Sequence, residues 1–238
     1  VLEITQQQLE KFRKIKNSYY GKTKFPERDN WKNLSNNDIW LRTFTQVMIA
    51  GSSNSFKEFS KNPTLKNTIS YENLSRTVEQ EDLRKKINQT LRAVGSRYAM
   101  TEYSKCLKTK ALFHNFKVLL STDGGPKGFL AKLIELNGDE QRMRFLAKSF
   151  MYIKNKGARD LLMELGILEN SIAFDTRIKN ILEKLGFVLP KGFEKNPNQY
   201  AEVERDLLTK VCKPLGITGV EFDRMLYQNY EEIMREIR

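Results

Sequence analysis

Cysteine and histidine are almost missing from this chain: among 238 residues there are two cysteines, Cys106 and Cys212, and one histidine, His114. Two thiols are too few for a disulfide framework, a four-thiolate zinc site or a cysteine-ligated iron–sulfur cluster. Both read as buried core residues. His114 lies in the apolar stretch Ala111-Leu112-Phe113-His114-Asn115-Phe116 without Cys, Asp or Glu at ligand spacing, so neither a metal nor any other cofactor is expected. No run approaches the roughly 18 apolar residues of a membrane span. The opening Val1-Leu2-Glu3-Ile4-Thr5 is not a basic segment followed by an apolar one, so no signal peptide is expected. A soluble, intracellular protein of the cytoplasm or nucleoid is the expectation, with no membrane partner. Internal repeats, long linkers and low-complexity tails are also missing, and clean apolar–polar alternation over a strand's length is hard to find.

What is present is positive charge and helical periodicity. Lys and Arg number 41 against 29 Asp and Glu, a net charge of +12. A field of that sign concentrates polyanions, either nucleic acid or an acidic membrane face. With 39% hydrophobic residues and 11% aromatics the chain can bury a core. Apolar residues recur at three and four positions, which predicts an all-α protein: two helical lobes around a cleft, folding as a single domain over 1–238. Helices are expected over residues 5–16, 38–50 (capped by Asn36 or Asn37), 80–94, 103–120, 126–136, 139–152, 156–165, 175–186, 200–212 and 219–236, with a short one from Phe56. The Pro63 to Asn73 stretch reads as an irregular connection.

The segment Phe150-Met151-Tyr152-Ile153-Lys154-Asn155-Lys156-Gly157-Ala158-Arg159-Asp160-Leu161-Leu162 joins an apolar helix end, a tight turn and a new helix start, a hairpin over about 140–165. Amides at the start of the second helix have no intrahelical partners and can hold a phosphate, with Lys154 and Arg159 adding charge. Contacts of this kind position a duplex without reading its bases. Nineteen residues after Lys156, Asp175 follows Ile172-Ala173-Phe174 and opens a helix with the apolar stripe Ile178, Ile181, Leu182 and Leu185. By themselves these residues are equally an N-cap aspartate, a surface lysine and a bend.

Lys156 in its hairpin, then Gly166, then Asp175 resembles the signature of the helix-hairpin-helix DNA glycosylases, the superfamily of endonuclease III and the 8-oxoguanine DNA glycosylases. The likeness extends to Gln46-Val47-Met48-Ile49-Ala50-Gly51-Ser52-Ser53, which looks like the lesion-pocket helix, and to the stretches around Leu215-Gly216-Ile217 and Phe222-Asp223. About half the chain is covered. Family hairpins place glycines four and two residues before the lysine, where this chain has Tyr152 and Lys154. An alternative register aligns Gly157 with the second glycine and Arg159 with the lysine, which leaves no amine nucleophile. The missing cysteine cluster excludes the iron–sulfur branch.

The resemblance implies Lys156 as nucleophile and Asp175 as the catalytic carboxylate, with Tyr152, Ile153, Lys154, Asn155, Gly157 and Arg159 against the DNA backbone. Gln46, Ser52, Ser53 and Asn54 would hydrogen-bond a flipped base, and Trp31, Trp40, Phe222 or Tyr227 would stack on it. A location at a positive helix end, near Arg159, is expected to favour the neutral form of the Lys156 amine. The implied enzyme is a monomer acting on double-stranded DNA that holds a damaged base, 8-oxoguanine first, as glycosylase and AP lyase. Open beside it are a monofunctional glycosylase for alkylated, deaminated or mismatched bases, a non-catalytic DNA-binding protein, and general RNA or polyanion binding.

Overall fold

The computed structural model describes residues 2–237, all helix, turn and loop, with no strand among them. In chain order the α-helices are α1 (Gln6–Tyr19), α2 (Asn36–Met48), α3 (Asn54–Lys61), α4 (Pro63–Thr68), α5 (Tyr71–Ser75), α6 (Gln80–Ala93), α7 (Leu107–Leu120), α8 (Gly125–Ile134), α9 (Asp139–Ser149), α10 (Asn155–Glu164), α11 (Thr176–Lys184), α12 (Pro197–Leu207), α13 (Lys213–Leu215), α14 (Gly219–Gln228) and α15 (Tyr230–Glu236). Among the described residues, no helix is long and apolar enough to cross a membrane. The chain divides into two compact units, Asn30–Lys154, and Val1–Asp29 together with Asn155–Arg238.

In the continuous unit α2 packs against α3, α5, α7 and α8. Its apolar stripe puts Trp40, Phe44, Val47 and Met48 out of water. Trp40 meets the Phe116 ring edge-on at 5.1 Å, and its indole N–H donates to the Ile69 carbonyl at 2.7 Å. The helix starts at Ser35, not at the expected asparagines: Ser35 Oγ accepts the Asp38 N–H, and the Asp38 carboxylate accepts the Ser35 N–H. Asn36 and Asn37 are used sideways, accepting from the backbone amides of Lys127 and Tyr71. The connection expected from Pro63 onward is in fact α4 and α5. Asn62 caps the first, with Pro63 in its opening turn, and Ser70 caps the second. Buried Lys108 closes the far end of α2, donating to the carbonyls of Met48 and Ala50 and to Ser96 Oγ at 2.8–2.9 Å. Desolvation pulls its pKa down to about 8.

The discontinuous unit has its own core around Phe12, whose ring lies 5.7 Å from that of Phe187 and 5.3 Å from that of Phe222. A second aromatic group, Phe174, Phe193 and Tyr200, has centroids 5.0–5.9 Å apart. The helix expected over 200–212 begins earlier, at Pro197, and its end widens into a π turn at Leu208–Cys212 before Gly216 stops it in the left-handed region at φ 64°.

Between α10 and α11 the buried segment Ser171–Phe174 carries no helical hydrogen bonds and has no strand to pair with. Buried amides need acceptors, and side chains supply them. Glu204 accepts from the Ile172 N–H (2.8 Å) and from Ser171 Oγ (2.7 Å). Asp223 accepts from the Ala173 N–H (2.7 Å), and the Tyr200 hydroxyl accepts from the Phe174 N–H (2.9 Å) while donating to the Ile172 carbonyl (2.8 Å). Gly219, the first residue of α14, lets this segment approach: a Cβ there would lie 2.7 Å from the Ser171 nitrogen and 2.9 Å from its carbonyl oxygen. Glu204 is neutralised by Arg159, which donates from Nε and Nη2 at 2.7–3.1 Å and lies 3.9 Å above the Tyr200 ring. Glu204→Gln leaves a buried guanidinium without its counter-charge, and urea unfolding should show a loss of about 3–5 kcal/mol.

Candidate active site

Lys156 occupies the first turn of α10, half-exposed, with Nζ 3.2 Å from Asp160 Oδ2 one turn along the same helix. The other Asp160 oxygen, Oδ1, accepts from Arg224 Nη2 of α14 at 2.9 Å. Asp175 caps α11, its Oδ1 accepting the Ile178 N–H at 2.9 Å, where the helix dipole favours a negative charge. Asp223 precedes Arg224, is 2% exposed, and has Oδ1 3.9 Å from the Arg224 guanidinium. Two cations and three carboxylates from α10, the cap of α11 and α14 therefore share one site.

Their charges are coupled. Burial lowers the Lys156 pKa, but the attraction and hydrogen bond of Asp160, with the charges of Asp175 and Asp223 behind it, outweigh that and raise it above the usual lysine value. The sequence reading expected the opposite, a neutral amine favoured by Arg159 and the helix end. The correction has two causes: Arg159 is paired with Glu204, and the charges of three aspartates, Asp160 in direct contact, hold the ammonium. Burial pushes the Asp223 carboxyl up to about 7, although Arg224 pulls the other way.

Arg159 is 5% exposed, so its expected contact with a DNA backbone is corrected: it is an internal cation. Phe222 is likewise a core ring against Phe12, which leaves it unable to stack on a base. Tyr227 is half-buried under the Arg177 guanidinium at 4.7 Å, two residues past Asp175. Gln46 and Ser52 are partly exposed, Ser53 and Asn54 exposed, and Ser52 Oγ accepts from the Asn54 amide. These four belong to the continuous unit, whereas Tyr227 belongs to the other. Of the expected hairpin contacts, Tyr152 and Lys154 are exposed, Asn155 and Gly157 partly so, and the Ile153 side chain is buried. None of Lys156, Asp160, Asp175 and Asp223 lines the hollow of about 200 Å³ bounded by Phe25, Arg28, Gly166, Glu169 and Thr218.

Tyr152 has φ 70°, the left-handed conformation that usually selects glycine. The hairpin thus keeps a glycine-like backbone at the first of the two positions where the sequence lacks one; Lys154 makes no such demand. Asn115 of α7 holds the turn, with Nδ2 donating to the Met151 carbonyl (3.1 Å) and Oδ1 accepting the Met151 N–H (2.7 Å). Asp160, Asp223, Arg224 and Asn115 were not singled out as site residues by sequence. The spacing of Asp160 from Lys156, a helix turn, was the one local signal for any of them.

The fold is that of 8-oxoguanine DNA glycosylases. The solved 8-oxoguanine DNA glycosylase of Methanocaldococcus jannaschii superposes with a TM-score of 0.65, covering 97% of this chain and 94% of that one at 17% identity. The Thermotoga maritima 8-oxoguanine DNA glycosylase gives 0.59 at 22% identity, covering 92% of each chain. The M. jannaschii 8-oxoguanine glycosylase/lyase in complex with 15mer DNA containing 8-oxoguanine gives 0.62 at 16% identity, over 94% of this chain and 98% of that one. No family profile and no curated protein sequence matches the chain.

Two outcomes are expected. In the unfolded chain Asp223 ionises near 3.8, whereas in the fold it holds its proton to about 7. Between those values the unfolded state sheds a proton that the fold retains, so the contribution of Asp223 to stability falls as pH rises from about 4 to 7 and levels off above. Asp223→Asn removes that dependence, and denaturation curves should show the variant gaining on the native protein across this window, by on the order of 2–4 kcal/mol. Tyr152→Gly relieves a left-handed side chain at the cost of a more flexible unfolded chain, so calorimetry should find stability unchanged or raised by up to ~1 kcal/mol. Tyr152→Val should lower it, since a β-branched residue tolerates that conformation least.

Proposed function

We propose that this chain is a DNA glycosylase and AP lyase of base excision repair that removes an oxidised purine, 8-oxoguanine first, and nicks the strand through an imine on Lys156. The observation that carries the reading is the pairing of Lys156, at the head of α10, with Asp175, at the head of α11, in one electrostatically coupled site. The shared fold supports the substrate class, because one of its neighbours is described with DNA containing 8-oxoguanine. The net charge of +12 supports a polyanion; the exposed Tyr152 and Lys154, and separately the amides opening α10, are of the kind that meet phosphate without reading base sequence.

The sugar C1′ is out of reach in stacked duplex, so the damaged nucleotide swings out. The Lys156 amine, once neutral, forms a bond to C1′; the glycosidic bond breaks with its electron pair going to the base, which leaves carrying a proton. The adduct opens to an imine, and loss of the C2′ proton expels the 3′ phosphate oxygen by β-elimination. Asp175 stabilises the positive charge that grows on the sugar. Opposite-charge surroundings that keep Lys156 protonated favour a second reading, in which Asp175 activates water and Lys156 forms no covalent bond.

Borohydride trapping on duplex DNA with 8-oxoguanine separates the two. The expected result is a covalent adduct that vanishes in Lys156→Ala, with cleavage reduced by a factor of about 10² or more in Asp175→Asn while duplex binding persists. Base release without any adduct overturns the lyase reading, and no release from a panel of damaged bases overturns the enzyme.

A further inference from the structure

For Lys156 to act as a nucleophile its ammonium must lose a proton, and the groups around it oppose that. Asp160 contacts it from α10, and the charges of Asp175 at the head of α11 and Asp223 on α14 act on it as well. Arg224 of α14 stands behind Asp160, with the charges of Asp160, Asp223 and Glu164 acting on it in turn. Arg159, also on α10, is turned to Glu204 of α12 and is bound there. Within this ring, Asp160 is the carboxylate that meets Lys156 in a direct hydrogen bond, and Arg224 is the cation that meets Asp160. The two contacts use different oxygens of one carboxylate, Oδ2 toward the lysine and Oδ1 toward the arginine. Asp160 and Arg224 are each only 16% exposed, so the pair is poorly screened.

We propose that Arg224 is a positioning residue for the lysine chemistry, and that this inference rests on Lys156 being the nucleophile: the guanidinium fixes Asp160 through Oδ1, so that Oδ2 aims the lysine amine. The ammonium loses its proton to solvent, an N–H bond of Lys156 breaking as an O–H bond forms on hydroxide, with Asp160 taking no part in the transfer. When the glycosidic bond breaks, the departing base takes its proton from water. Arg224 acts through charge as well as geometry. Its positive charge opposes the ammonium and draws on the Asp160 charge that holds it, which lowers the pH at which Lys156 becomes an amine.

Borohydride trapping as a function of pH, at limiting concentrations of 8-oxoguanine duplex, tests this, with the Lys156 titration followed in parallel by NMR of ¹³C-labelled lysine side chains. Arg224→Gln should move the alkaline rise in trapping upward by about one pH unit, lowering the rate about tenfold at neutral pH, with recovery at alkaline pH. Asp160→Asn should move the rise the other way while lowering the plateau, because the amine loses both its counter-charge and its guide. Arg224→Lys keeps the charge and should leave the midpoint of the rise in place. If Arg224→Gln lowers trapping by the same factor at every pH, and the Lys156 titration does not move, Arg224 is a structural contact and the proposal is overturned. A native protein that forms no adduct at any pH overturns the nucleophile reading itself. In that case a Lys156 titration that still follows Arg224 upholds the electrostatic pairing, and one that does not removes it as well.

Discussion

Everything at the candidate site depends on a stretch of backbone that ought to be costly: Ser171–Phe174, buried and outside any helix or sheet. Each unmet amide in such a place forfeits about 1–3 kcal/mol. The protein answers with Glu204 and Tyr200 from α12 and Asp223 from α14, one acceptor for each of three successive N–H groups. Those acceptors set the direction in which the chain arrives at Asp175. They also fix α10, because Glu204 can be buried only with Arg159 beside it. The helix that carries Lys156 and the helix capped by Asp175 are thus tied to a common frame by one buried polar network, and not by apolar packing alone.

The same network explains the electrostatics of the site. Asp223 is placed where the Ala173 amide needs an acceptor, and its burial, not any contact with Lys156, is the largest reason its carboxyl holds a proton to about 7. A neutral Asp223 adds little to the field at Lys156, whereas an ionised one strengthens the hold on the ammonium. The structural acceptor therefore doubles as a group whose charge changes within the physiological range. Asp160 meets Lys156 through one carboxylate oxygen and Arg224 through the other.

Much of this was legible in the sequence because it is local. The helix stripes, the hairpin stretch and the Asp175 cap are written in spacings of three, four and nineteen residues. Ser35 was missed as a cap because two asparagines follow it, and which of three adjacent polar residues turns inward is decided by what α5 and α8 offer them. Arg159 looked like a surface cation because its partner lies 45 residues away. Phe222 looked like a stacking ring because a sequence does not say which side of α14 faces the core. Asp223 and Arg224 carry no short-range signature: their roles arise from backbone and charge at positions 173 and 160, distant in the chain.

Tyr152 shows how a motif can be absent from a sequence while its geometry persists. Glycine is favoured where a hairpin turns left-handed because other residues pay about 1–2 kcal/mol there. That penalty is small beside what fixes this turn: the buried Asn115 amide grips Met151 through both its N–H and its carbonyl, and Phe150 stacks on Phe129 at 4.9 Å. A backbone held on the residue before and the residue before that has little choice at position 152. The lost glycine therefore changes what projects from the turn, an exposed phenol ring in place of bare backbone, more than it changes the path of the chain. The turn therefore presents an aromatic face with Lys154 two residues on, a surface unlike the glycine-flanked hairpin that the spacing to Lys156 first suggested.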